Sequence, residues 1–111
     1  MLTRNTIALL WLCVAFTACA SQRIPEATQA AVQYAQQGRP QTTLEELQQG
    51  RRAYVSHCGN CHRLVDPRKV SAEQWPGKVY EMGTKARIPQ DQMELIVLYL
   101  VSAAKTAPPP G

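Results

Sequence analysis

The run Cys58-Gly59-Asn60-Cys61-His62 has the residue types and the spacing to do chemistry. Two thiols separated by one tight turn can each join a vinyl group on one edge of a porphyrin, and the next residue brings an imidazole to the iron. CxxC by itself also serves zinc sites and dithiol redox pairs. The reading as covalent haem attachment therefore depends on what surrounds the motif. The sequence contains no nucleophile–histidine–acid arrangement and no glycine-rich phosphate loop. Ser56-His57 has no carboxylate nearby in the chain. The expectation is a cofactor-bearing protein and not an enzyme.

Helices must position these residues. Thr43-Leu44-Glu45-Glu46 fits a capping box, with Thr43 at the N-cap and Glu46 at N3. It opens a helix that reaches almost to Cys58, with Leu47, Tyr54, Leu44 and Arg51 toward one side. Gly50 lies on that side too. A mid-helix glycine costs about 1 kcal/mol relative to alanine, and close approach of a second helix would account for it. Residues 64–67 form a turn. Ser71-Ala72-Glu73-Gln74 is a second capping-box candidate, leading to a helix with Trp75, Val79 and Met82 on one face. Pro76 lacks an N–H, so either Ser71 opens a separate turn or the helix proper starts near Pro76. Gly83 is expected to end it. A last helix runs from about Gln90 to Ala104, with Met93, Ile96, Val97 and Leu100 inward and Tyr99 flanking. Residues 106–111 are expected to be a disordered tail.

The 111 residues allow one domain plus extensions. Residues 1–18 read as a signal peptide, with Arg4 as a short basic region and Ile7 to Phe16 as an apolar run too short to span a bilayer. Phe16-Thr17-Ala18-Cys19 resembles a lipoprotein box, in which the cysteine becomes N-terminal and lipidated. Ala18-Cys19-Ala20 also has the small-x-small form of ordinary cleavage before Ser21. Cleavage before Cys19 is the preferred reading, and Cys13 is discarded either way. Residues 19–42 read as a tether or a loosely packed short helix, because the Ala/Gln-rich stretch 24–38 has a thin apolar face. The compact domain is then 43–105. Its roughly 60 residues bury little apolar surface alone, and a haem among Tyr54, Leu64, Trp75, Val79 and Ile88 would supply the missing core. The formal charge is +4, and removing 1–18 leaves 11 basic against 8 acidic residues. That balance does not point to nucleic acid.

The stretch from Gly50 through Arg51, Tyr54, Cys58-x-x-Cys61-His62-x-Leu64, Pro67, Trp75, Met82, Ile88 and Ile96-Val97-Leu98-Tyr99-Leu100 resembles the class I cytochrome c family in its short bacterial monohaem form. The likeness covers about residues 44–102. It implies an all-α, compact cytochrome c fold with three main helices packed around one covalently attached haem c. The first and last helices would cross near-perpendicularly at Gly50. It puts Cys58 and Cys61 on the thioethers and His62 on the iron, and makes Pro67 the candidate to turn its carbonyl toward the ring N–H of His62.

Only His57 and His62 are present. His57 directly precedes an anchored cysteine and cannot easily reach the far face of the macrocycle. Met82 and Met93 remain as soft donors, and Met82 also matches the family's usual placing of the sixth ligand. Core packing is the simpler role for Met93. An open sixth position and a lysine such as Lys85 stay as alternatives. The function implied is one-electron transfer between redox protein partners in the periplasm or on an extracytoplasmic face, with membrane attachment if Cys19 is lipidated. Two other readings stand beside it. One is a small-ligand sensor or accessory subunit with an open or labile sixth position. The other is a haem-free CxxC structural or redox protein.

Overall fold

A computed structural model describes residues 24–60 and 63–109. The segment read as a signal peptide, the expected cleavage site before Cys19, Cys61, His62 and the last two residues of the expected tail lie outside them. The described chain is all helical, with no strand among the described residues. Helix α1 spans Gln29–Gln36, α2 Leu44–Cys58, α3 Trp75–Lys85 and α4 Gln90–Thr106, and short 3-10 turns occupy Pro67–Lys69 and Ala72–Gln74. None of these helices is long and apolar enough to cross a membrane.

Helix α4 is the spine against which α1, α2 and α3 all pack. Its Ile96 and Leu100 are fully buried, as the 3.6-residue period requires of a helix covered on several sides. The capping box of α2 forms as expected. Thr43 Oγ1 accepts from the Glu46 N–H at 3.2 Å, and the Glu46 carboxylate accepts from the Thr43 N–H at 3.0 Å. At Gly50 the α2 and α4 backbones meet: a Cβ there would collide with the Leu95 carbonyl and lie 2.9 Å from Tyr99 Cβ.

Both alternatives for the start of α3 are realised together. Ser71 precedes a separate 3-10 turn, its side chain making no cap bond, and α3 begins at Trp75 with Pro76 in its first turn. There the missing N–H forfeits no helical bond. Gly83 does not end the helix. It lies inside α3, buried, where a Cβ would run into Met93 Sδ, so its lack of a side chain serves packing. The stop is four residues later. Arg87 takes φ 57°, its N–H bonds the Thr84 carbonyl at 3.2 Å, and the Ile88 N–H bonds the Gly83 carbonyl at 2.9 Å. This is the paired closure of a Schellman motif, with arginine where glycine is the usual residue. Left-handed backbone costs an L side chain about 1–2 kcal/mol, offset in part by glycine's larger unfolded entropy. Arg87→Gly should therefore stabilise the protein by about 0.5–1 kcal/mol, read as a higher urea midpoint at unchanged slope.

Of the two readings of the N-terminal segment, the short helix is the one found, as α1, and it is packed on the domain instead of loosely attached. Ala31, Val32 and Ala35 of α1 are buried, and Ala31 and Val32 pack with Leu47 of α2. Alanines make a thin apolar stripe, but their small size lets α1 seat closely on α4. Tyr99 is fully buried instead of flanking, because its hydroxyl finds the Pro25 carbonyl at 2.5 Å. Thr106 belongs to α4, and the Pro108 carbonyl accepts from Arg68 Nη1 at 2.6 Å, so the tail is held as far as that residue.

Candidate functional site

Helix α2 delivers the start of the motif. Cys58 is its last residue, half-buried against the main core. The Gly59 N–H continues the ladder to the Val55 carbonyl at 3.3 Å, and Asn60 Nδ2 donates to the Ser56 carbonyl at 2.9 Å. These bonds satisfy carbonyls that a helix end leaves open. Cys61 and His62 lie outside the described residues.

The chain beyond the motif is tied back by two aromatic donors. Tyr54 donates its hydroxyl to the Val65 carbonyl at 2.6 Å, and Trp75 Nε1 donates to the Pro67 carbonyl at 3.0 Å. The two rings meet edge to face with centroids 6.1 Å apart, a favoured aromatic geometry. Burial, then the nearby Cys58, pushes the Tyr54 hydroxyl up to about 12; it stays a neutral donor at any physiological pH. Pro67 is the residue the resemblance offers to His62, and the donor found on its carbonyl is this indole.

Between these residues, the end of α2 and the face of α3 lies a groove of about 600 Å³. Tyr54, Leu64, Trp75, Val79 and Ile88, the five side chains expected around a cofactor, all line it, with Ile96 and Val70. Cys58 and Met82 stand in the same wall set. Met82 is 53% exposed, on the last turns of α3. Met93 is 8% exposed, in the core against Gly83, and does not line the groove. Of the two candidate methionines, the fold brings only Met82 to Cys58's groove. Lys85 also lines it, and its Nζ is 3.3 Å from Glu81. His57 and Lys78 complete the polar edge. The groove falls within the size range of cofactor sites and is apolar with few polar groups. The Cys58 thiol and the Met82 thioether in its wall are donors that suit iron porphyrin. The residues present fit a haem.

One pair escapes the sequence reading. Asp66, 6% exposed, accepts from the Arg68 N–H and from Arg68 Nε, each at 2.9 Å. Arg68 also reaches Pro108, so the pair ties the segment after the motif to the end of α4. Nothing periodic marks Asp66-Pro67-Arg68; only an acid two residues before a base hints at it. The Arg68 hydrogen bond holds the Asp66 carboxyl below the usual aspartate range. Its contribution to stability is complete above the unfolded aspartate value near pH 4 and is lost as pH falls through the lower folded value. Melting temperatures of wild type and Asp66→Asn should differ at pH 6 and converge in acid, with the variant's profile the flatter.

Comparisons with protein-family models, characterised proteins and solved structures found no match to this chain, so the groove and its donor residues carry the functional argument.

Proposed function

We propose that this chain is a monohaem electron carrier of the cytochrome c kind. Cys58 and Cys61 would hold the group by thioethers, and His62 and Met82 would be the ligands to its iron. A bound haem supplies the one-electron chemistry. The chain's own residues set its conditions. Tyr54, Leu64, Trp75, Val79, Ile88 and Ile96 exclude water from one side. The Tyr54–Val65 and Trp75–Pro67 bonds fix the wall formed by the segment after the motif, which keeps rearrangement small when charge changes. Met82 offers a neutral soft donor that favours the ferrous state. With His62 and Met82 both on the iron, the group would transfer electrons and leave no position for a substrate. Its partners are redox proteins outside the cytoplasm, and a lipidated Cys19 would keep it at a membrane.

The observation that carries this reading is the apolar groove that holds Cys58 and Met82 together while Met93 is packed elsewhere. Oxidised and reduced spectra of the exported protein test it. Wild type and Met93→Ala should show covalent haem and the weak red thioether-to-iron band. Met82→Ala should keep the haem, lose that band and drop in potential on the order of 0.2 V, within the range axial ligands command. Retention of the band in Met82→Ala would move the protein to the open or labile class of haem sites. Exported protein without covalent haem absorption would return it to the haem-free CxxC class.

A further inference from the structure

Met82 is half exposed, so little packing on its own side chain fixes where its sulfur stands. Its place is set by the backbone of the last turns of α3, which are held from two directions. On the C-terminal side, the Ala86 N–H bonds the Met82 carbonyl at 2.9 Å and the Ile88 N–H bonds the Gly83 carbonyl at 2.9 Å. Ile88 itself lines the groove, so this closure joins two parts of one wall.

The second direction is α4. Gly83 continues the buried stripe of Trp75 and Val79 along α3 and lines the groove beside Met82. A Cβ at 83 would collide with Met93 Sδ and lie 2.9 Å from Met93 Cγ. Met93 lines no part of the groove, yet it is buried in one cluster with Val79, Ile88 and Ile96, each of which does. Its own backbone is fixed at the start of α4, where its N–H bonds the Pro89 carbonyl at 3.0 Å. An unbranched thioether suits the irregular gap that a glycine leaves. Packed interiors transmit strain, so a change of volume at 93 or 83 is passed to the turn that carries Met82.

We propose that Met93 is a positioning residue for Met82: packed on Gly83, it fixes the last turns of α3 and so keeps the Met82 thioether in the groove wall as a ligand. This rests on the reading of Met82 as an iron ligand. A neutral thioether is a weak donor, and its hold depends on the shell that keeps it in place. Imidazole can take that position on the iron only while Met82 is off. Its apparent affinity for the oxidised protein therefore reads the fraction of molecules in which Met82 has let go.

The test is an imidazole titration of the exported, haem-loaded full chain at neutral pH, followed by the shift of the main haem absorption band. Met93→Ala should bind imidazole about fivefold more tightly than wild type while keeping the thioether band in its absence. Gly83→Ala, which displaces the Met93 side chain, should tighten binding too, and it carries the decision if Met93→Ala fails to load haem. Met93→Leu, of similar volume, should stay within about twofold of wild type. Leu47→Ala removes a comparable core side chain from the cluster with Ala31 and Val32, away from the groove. It should lower the melting temperature and leave imidazole affinity at the wild-type value. Wild-type affinity in Met93→Ala and Gly83→Ala, or equal tightening in Leu47→Ala, overturns the positioning role. Met82 remains the ligand in that case if Met82→Ala binds far more tightly than wild type. If Met82→Ala binds no more tightly, Met82 is not the ligand and both readings fall.

Discussion

Cys58→Ala/Cys61→Ala protein should be poorly folded, with about half the wild-type helical signal and no cooperative melt at neutral pH, estimates that follow from the small core. On the haem reading, the walls of the groove are core residues whose partner is the cofactor. Tyr54, Trp75, Val79 and Ile88 pack in the main core, and each also borders the groove, so what fills the groove supports their packing. A domain of this size has about 3–5 kcal/mol in hand. Exposing even one side of several large apolar groups, at about 25 cal/mol per Å², consumes a margin of that order. Helix α1 and the capped start of α2 depend less on the groove and should keep residual helicity. Circular dichroism and a thermal melt of the double variant decide the matter, and a wild-type-like melt would show that the helices are sufficient without haem.

Gly50→Ala should be the most damaging single methyl addition, destabilising by about 3 kcal/mol, the upper end of overpacking costs. The added carbon meets the Leu95 carbonyl, which is backbone inside α4 and cannot rotate away. Either the helices separate, opening the contact that includes Leu47, Tyr54 and Tyr99, or α4 bends. Alanine would otherwise favour α2 by about 1 kcal/mol, so propensity alone predicts the opposite sign. Gly83→Ala should cost less, because what its Cβ meets is the flexible end of the Met93 side chain. Urea unfolding of the two variants side by side measures the contrast between backbone and side-chain neighbours.

Much of this molecule follows from its amino-acid order. Local rules act over a few residues, and they place the Thr43–Glu46 box, the run of α2 into Cys58, and the inward face of α4 at Met93, Ile96 and Leu100. Gly50 announced a close helix contact because an unexplained glycine inside a good helix demands one. Five of the groove-lining side chains, Tyr54, Leu64, Trp75, Val79 and Ile88, are legible from their size and position around the motif. Other features depend on residues far apart in the chain, and no local pattern reports them. The α3 stop falls at Arg87 because tertiary packing keeps Gly83 inside the helix, beside Met93. The choice between Met82 and Met93 lies in which side of the α3–α4 contact each thioether occupies. Tyr99 is buried because a carbonyl 74 positions away accepts its hydroxyl. That bond, the Arg51 bonds to the Ile24 and Pro25 carbonyls and the packing of Ala31 and Val32 on Leu47 together attach the alanine-rich N-terminal stretch. The CxxCH run itself is a property of the sequence; the groove beside it, and the methionine set in its wall, exist only once α2, α3 and α4 have packed.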